Sequence, residues 1–312
     1  MNSMSSIIRV EQPINQYNNQ IVTKVNQKLL IKNDNFKQQF YFDYFKQKVA
    51  FITNDGFVKI YDIIQTKEGQ KHVYNCEIEA HQGEISSLSW QSPKMDNLIA
   101  TCGEDQTIRI FKETGKVWRE ICKINEHQNP YIVKWIQNEQ ILVVGYYEGY
   151  FEVRQGEDFK CVHKFEMFDQ LIDFDLQLMK QDAILICSGV NGNSQFIFQI
   201  ETIKFQDLNK IVNKKKLSYQ LQQYIQNLKI APYMNNSEIK VAGQFQEDAA
   251  VISIEYNEEL DKSIDKLTDQ LIPIDSNCWQ FEWSTFGNEL QIYTEREVRV
   301  YQQNIYDKFV IL

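Results

Sequence analysis

A short pattern returns along this chain about every fifty residues, and no other feature restricts the fold as much. It reads DGFVKIY over 55–61, EDQTIRIF over 104–111 and EGYFEVR over 148–154. Weaker copies are NSQFIFQ over 193–199, DAAVISI over 248–254 and EREVRVY over 295–301. Each copy opens on polar, turn-compatible residues and runs on as a short alternation of apolar and polar side chains, the period of a half-buried strand. The closing residues fall at 61, 111, 154, 199, 254 and 301, a step of 43–55 residues. Strand-like runs precede them: IVKW (132–135) with ILVV (141–144), LIDF (171–174) with AILI (183–186), and WQFEW (279–283) with ELQIY (289–293). A unit of about 40–45 residues made of short strands reads as a propeller blade, a sheet too small to bury both faces unless it stacks on neighbours. The reading is all-β: six blades in one domain over 39–312, preceded by an N-terminal extension over 1–38.

The second repeat is the most complete. AHQGEISSLSW (80–90) leads into LIATCG (98–103) and then the closing pattern at 104–111. His81 before the first strand and Asp105 in the tight turn before the third fit a WD-repeat. In such repeats the two side chains hydrogen-bond within the blade and pin the turn, and the aromatic after the third strand, here Phe111, packs between blades. His127 takes the pre-strand position of blade three. Trp90, Trp135 and Trp283 end first-strand motifs and, with Trp279, are expected in the core. One stretch departs from this period. Residues 205–228 show helix-compatible spacing and predict a partly helical insertion between blades four and five, with Lys214 to Lys216 in a solvated loop.

Composition narrows the function by exclusion. Lys and Arg total 33 against 42 Asp and Glu, for a net charge of −9, where a dedicated nucleic-acid binder carries a basic surplus. No G-x-x-x-x-G-K-S/T or G-x-G-x-x-G run offers a phosphate cradle. His72, His81, His127 and His163 stand apart, without H-x-x-x-H or H-x-E spacing, so no metal or cofactor is expected. Six cysteines without a C-x-x-C pair read as reduced thiols of an intracellular protein, with Cys102 and Cys187 as small buried hydrophobes. The apolar runs are too short to span a bilayer, and the first ten residues lack a signal-type apolar core. The expectation is a non-enzymatic protein without a small-molecule substrate.

In blades one, two and six the match is closer. Residues 80–111, together with FDY (42–44), KVAFITNDG (48–56), VW (117–118), NCWQFEW (277–283) and GNEL (287–290), resemble the small six-bladed WD-repeat coat propellers. Those propellers are shared by the COPII cage, the nuclear pore Y-shaped complex and the lysosomal coat-like complex. Blade three departs from the family pattern at VGYYEG (144–149), and blades four and five lack clear His and Asp anchors.

The resemblance implies a structural role. Family propellers are left open, and an α-solenoid partner donates strands that complete a seventh blade, a case of strand addition to an exposed sheet edge. The edge is expected at the junction of the first and last blades, formed by Ile21, Val25 and Leu30 on one side and Phe309 and Ile311 on the other. Either the N-terminal extension or a partner strand covers it. The implied location is the cytoplasmic face of endomembranes or the nuclear pore. An alternative is a divergent WD-repeat adaptor of another large complex (ciliary, mitochondrial or ribonucleoprotein).

Overall fold

The computed structural model describes residues 36–311 apart from 68, 92–95, 116, 126–127, 137–139, 180–181, 193–194, 208–209, 222–223, 233–237, 246–247, 256–266, 274–277, 285–286, 295–296 and 305–308. Among the described residues every regular element is a strand, and the strands form six four-stranded antiparallel sheets, each from four consecutive strands. Sheet one holds β1 (Phe36–Phe42), β2 (Lys48–Thr53), β3 (Phe57–Thr66) and β4 (Gly69–Glu79). Sheet two holds β5 (Ile85–Trp90), β6 (Leu98–Gly103), β7 (Thr107–Thr114) and β8 (Val117–Asn125). Sheet three holds β9 (Pro130–Ile136), β10 (Ile141–Tyr146), β11 (Tyr150–Gln155) and β12 (Lys160–Glu166). Sheet four holds β13 (Gln170–Met179), β14 (Asp182–Asn191), β15 (Gln195–Asp207) and β16 (Lys210–Leu221). Sheet five holds β17 (Ile225–Ile230), β18 (Glu238–Phe245), β19 (Asp248–Glu255) and β20 (Leu267–Pro273). Sheet six holds β21 (Cys278–Trp283), β22 (Glu289–Thr294), β23 (Val298–Gln303) and β24 (Phe309–Ile311). This is a six-bladed β-propeller arrangement, one blade per repeat. The described residues fall into two compact units that divide between Leu228 and Lys229.

Period-two alternation sends neighbouring residues of one strand into different cores. In β7, Ile108 and Ile110 join Val133, Trp135, Leu142 and Val144 of blade three. Phe111, one residue on, joins Ile52, Ile60 and Ile78 of blade one, together with Leu88, Trp90 and Ile99. A third core lies between blades three and four around Phe151, Phe168, Phe174 and Leu185. In the second unit, Ala242 and Val251 pack with Phe281, Leu290, Ile292 and Tyr301.

Where helical spacing predicted an insertion over 205–228, the backbone is strand. β15 pairs with β14 from Asn191↔Gln195 to Asp182↔Lys204 and with β16 from Phe196↔Leu221 to Asp207↔Lys210. Lys214 to Lys216 lie within β16, with Lys215 opposite Thr202 and Lys216 opposite Glu201. Apolar residues at 196, 198 and 200 and at 197, 203 and 205 serve a long hairpin, and ladder pairing overrides a weak local period.

One turn geometry repeats and explains two glycines. The carbonyl of Gly56 accepts from the N–H groups of Ala80 and His81 at 2.9 and 3.0 Å. The carbonyl of Gly149 accepts from Met167 and Phe168 at 3.0 and 3.2 Å. Both glycines have positive φ, and a Cβ would lie 2.2 Å from the His81 oxygen or 2.0 Å from the Phe168 oxygen. Blade two fills the corresponding position with Gln106 at φ 58°, a conformation that costs a non-glycine residue about 1 kcal/mol. Gly149→Ala is expected to destabilise by roughly 2 kcal/mol or more, and Gln106→Gly to stabilise by up to about 1 kcal/mol. Urea unfolding of both variants measures the two signs.

Candidate functional site

The best-formed polar site is the anchor of blade two. His81 Nδ1 lies 2.7 Å from Asp105 Oδ1, and His81 Nε2 lies 2.8 Å from Thr101 Oγ1. Asp105 also accepts from the Thr107 hydroxyl at 2.7 Å, from the Thr107 and Gln82 N–H groups at 3.2 Å, and from Arg109 Nη2 at 3.2 Å. The His81 side chain is fully covered. Burial pushes its imidazole below the usual histidine range, and Asp105 offsets this only in part. Burial would raise the Asp105 carboxyl, but hydrogen bonds from His81, Thr107 and Gln82 outweigh it and hold the group at about 2. An ionised Asp105 only accepts, so Nδ1 carries the proton of a neutral His81 and Nε2 accepts from Thr101. Both ring nitrogens are taken and no solvent reaches them. The arrangement fixes a loop to a turn; it leaves no base facing a substrate. Gly103 makes room for it, because a Cβ there would lie 2.8 Å from the His81 ring.

Blade three solves the same problem differently. In the matching strand, Tyr146 stands where blade two has Gly103, and its ring stacks on Tyr150 at 4.2 Å. Tyr146 Oη donates to Glu152 Oε2 at 2.9 Å, and Arg154 Nη2 donates to the same oxygen at 2.5 Å. Arg154, in the place of Phe111, also reaches the Phe159 carbonyl at 3.3 Å. The VGYYEG departure in the sequence is therefore a replaced anchor: an aromatic stack on a buried ion pair. His127 lies outside the described residues.

Side chains of the first strands tie one blade to the next. Trp90 Nε1 donates to the Tyr41 carbonyl at 2.9 Å, and Trp283 Nε1 donates to the Lys229 carbonyl at 2.9 Å. Ser87 and Ser89 accept from the N–H groups of Val133 and Trp135 at 3.3 and 3.1 Å. Lys134 pairs with Asp175 at 3.2 Å. Asp173 Oδ2 accepts from the Leu228 N–H at 2.7 Å, and burial raises this carboxyl to about 6. Trp90, Trp135 and Trp283 are all buried, as is Phe111. Trp135 rests edge-on against Phe159, and its buried Nε1 has no hydrogen-bond acceptor among the described residues. Trp279 falls at a register shift in β21.

Among the residues expected at a partner edge, Ile21, Val25 and Leu30 lie outside the described part. Phe309 is buried against Trp283, with ring centroids 5.5 Å apart, and Ile311 packs on the same core. The Phe309 N–H and carbonyl are both engaged by the Gln270 amide at 2.8 Å. Its side chain and main chain are thus committed inside the second unit. Sequence reasoning missed Thr101, Thr107, Glu152 and Arg154. Alternation marks Thr101 and Thr107 as strand residues without showing that they face His81. Among the described residues no group of three His, Cys, Asp or Glu side chains is placed to hold a metal ion, and all six cysteines are free.

His81→Ala or Asp105→Ala is expected to cost about 1–3 kcal/mol, because each leaves buried polar partners unsatisfied. Phe309→Ala is expected to cost roughly 3 kcal/mol as a core truncation. Acid should destabilise in two stages. The folded His81 value is depressed, so its contribution is complete above the unfolded value near 6.5 and is lost as pH falls toward the folded value. Asp105 contributes fully above about 4 and loses its share as pH descends to about 2. His72, pushed down to about 4 by burial, adds to the upper stage. Melting curves of wild type and His81→Gln between pH 8 and 4 should therefore converge as pH falls; parallel curves would refute the assignment.

Comparison with known proteins gives partial matches. The family described as the anaphase-promoting complex subunit 4 WD40 domain matches residues 91–180. Protein transport protein SEC13 of Chaetomium globosum is 29% identical over 76 residues, covering 24% of this chain and 25% of that protein. Nucleoporin SEH1 of Saccharomyces cerevisiae is 24% identical over 115 residues, covering 33% of this chain and 31% of that protein. Protein transport protein sec13 of Schizosaccharomyces pombe is 27% identical over 79 residues, a quarter of each chain. The chain thus spans only about a quarter to a third of the length of these curated relatives. With six four-stranded sheets and a His–Asp anchor in blade two, the chain resembles the small coat-type WD-repeat propellers.

Proposed function

We propose that this chain is a non-enzymatic scaffold, a propeller subunit of a large membrane-coating type assembly inside the cell. The observation that carries the reading is what the polar side chains do. The His81–Asp105 and Glu152–Arg154 groups lock turns within blades, while Trp90, Ser87, Ser89 and Lys134 join blades. These groups stiffen a body and leave its surface for partners. Likeness to a protein transport protein and a nucleoporin supports a coat or pore setting. The partner in this reading is an α-solenoid subunit, and its contacts include Ile21, Val25 and Leu30 of the extension. Phe309 and Ile311 form the other side of that edge in this reading.

A second reading is an adaptor of another large complex, favoured by the match of residues 91–180 to an anaphase-promoting complex subunit domain. Affinity isolation from native cells with mass spectrometry distinguishes the two. The expected result is stoichiometric co-purification with a large helical-repeat subunit of a coat or pore; recovery with a different complex favours the second reading, and recovery alone overturns both. Combined Ile21→Asp, Val25→Asp and Leu30→Asp is expected to lower capture of that subunit at least about tenfold without lowering the melting temperature.

A further inference from the structure

The turn between the first two strands of blade one carries side chains that its geometry does not ask for. Asp43 O accepts from Lys46 N at 3.0 Å, so Tyr44 and Phe45 are the two central residues of a tight turn. Such positions ordinarily hold Gly, Asn, Asp or Pro, which meet the backbone demands of a turn. Here Tyr44 and Phe45 are 50% and 59% exposed, and their rings meet edge to face with centroids 5.2 Å apart. Hydrogen bonds fix the turn. Asp43 N donates to the Lys48 carbonyl at 3.1 Å, and Asp43 Oδ1 accepts from the Gln47 and Lys48 N–H groups at 2.6 and 2.8 Å. Lys46 takes a positive φ of 54° and places its ammonium 5.9 Å from the Phe42 ring.

A second element ends beside this turn. In an antiparallel meander the turn from the first strand to the second and the turn from the third to the fourth lie at one end. Ile63 N donates to the Gln47 carbonyl at 2.7 Å, and from there β3 and β4 continue past β2 for four pairs, from Ile63↔His72 to Thr66↔Gly69. Ile64 on this projection is 46% exposed. Lys67 at its tip and Lys71 opposite Ile64 are exposed, and neither has an ion-pair partner among the described residues. Asp62, the nearest carboxylate in the β3 strand, is taken by Lys48 at 3.2 Å and by Asn75 at 2.7 Å. Glu68 lies outside the described residues. Of the twelve large apolar side chains exposed among the described residues, five belong to blade one: these three, Val73 and Tyr74.

Two adjacent rings on a convex tip, with a phenol hydroxyl and lysine ammonium groups around them, suit the boundary between lipid headgroups and acyl chains. Rings sit at that depth while hydroxyl and ammonium groups reach the headgroups. A protein partner would need a pocket shaped to each ring, whereas a bilayer yields to a convex tip. A chain of net charge −9 meets an anionic surface best where lysines lead, and that sets the orientation. We propose that this end of blade one inserts Tyr44 and Phe45 into the interfacial layer of an anionic bilayer, with Lys46, Lys67 and Lys71 on the phosphate headgroups. The contact is separate from the partner edge and does not depend on the coat reading.

Co-flotation of the full chain with vesicles tests it. Vesicles of phosphatidylcholine with roughly one-third phosphatidylserine are expected to carry the protein, and pure phosphatidylcholine about tenfold less. Tyr44→Ser with Phe45→Ser is expected to lower flotation about tenfold at an unchanged melting temperature, and Lys67→Gln with Lys71→Gln about threefold. Should the double Ser variant fail to fold, Phe45→Ser alone carries the comparison. Phe45→Trp is expected to keep binding and to lose fluorescence to acyl-brominated lipid beyond the loss seen in wild type, whose Trp90, Trp135 and Trp283 are buried. No flotation, equal flotation of the Ser and wild-type chains, equal flotation on both vesicles, or no added quenching overturns the proposal. So does loss of a co-purifying protein in the Ser variant without flotation of wild type, which would assign the tip to a protein partner. Failure of flotation leaves the coat reading untouched, because that reading turns on which subunits co-purify.

Discussion

Stacking of sheets through both faces is the constraint on which this structure depends. A sheet of four strands, many only six residues long, exposes two apolar faces and cannot hold a core by itself. Strand alternation supplies the answer by sending Ile108 and Ile110 to one neighbour and Phe111 to the other. Both faces of blade two are therefore taken up by its neighbours. Its polar chemistry gathers at the turns and along the first strands, where backbone groups leave the ladder and need partners.

The anchors of blades two and three show two ways to meet that need. A neutral histidine bridging Thr101 and Asp105 is fully satisfied, so it tolerates burial at low cost. Blade three fills the corresponding space with the Tyr146 ring and buries the Glu152–Arg154 pair beside it. A buried ion pair is held by geometry and not by its own net energy, and removal of one partner is the damaging event. Both solutions give rigid turns.

Much of the fold was legible because a repeat is written several times. Six closing patterns announced six sheets, and the second copy named His81, Asp105, Trp90 and Phe111 in their setting. The reading failed over 205–228, where a local helical spacing had only one copy to argue from and the β14 ladder prevailed. At Phe309 an apolar terminus suggested a docking edge; the structure engages its backbone with Gln270 and its ring with Trp283. No sequence spacing links residues 270 and 309, so that pairing had no local signal.

By itself, the sequence determined the strands outside 205–228, the number of sheets and the His81 and Asp105 anchor of blade two, because these follow from period-two alternation and turn chemistry within about fifty residues. Tertiary structure alone decided which face of each strand meets which neighbour, that Thr101 and Thr107 complete the His81 network, and that Tyr146 and Arg154 replace an anchor. Such choices depend on contacts between blades, where packing volume and hydrogen-bond satisfaction select one arrangement from many that the local pattern allows.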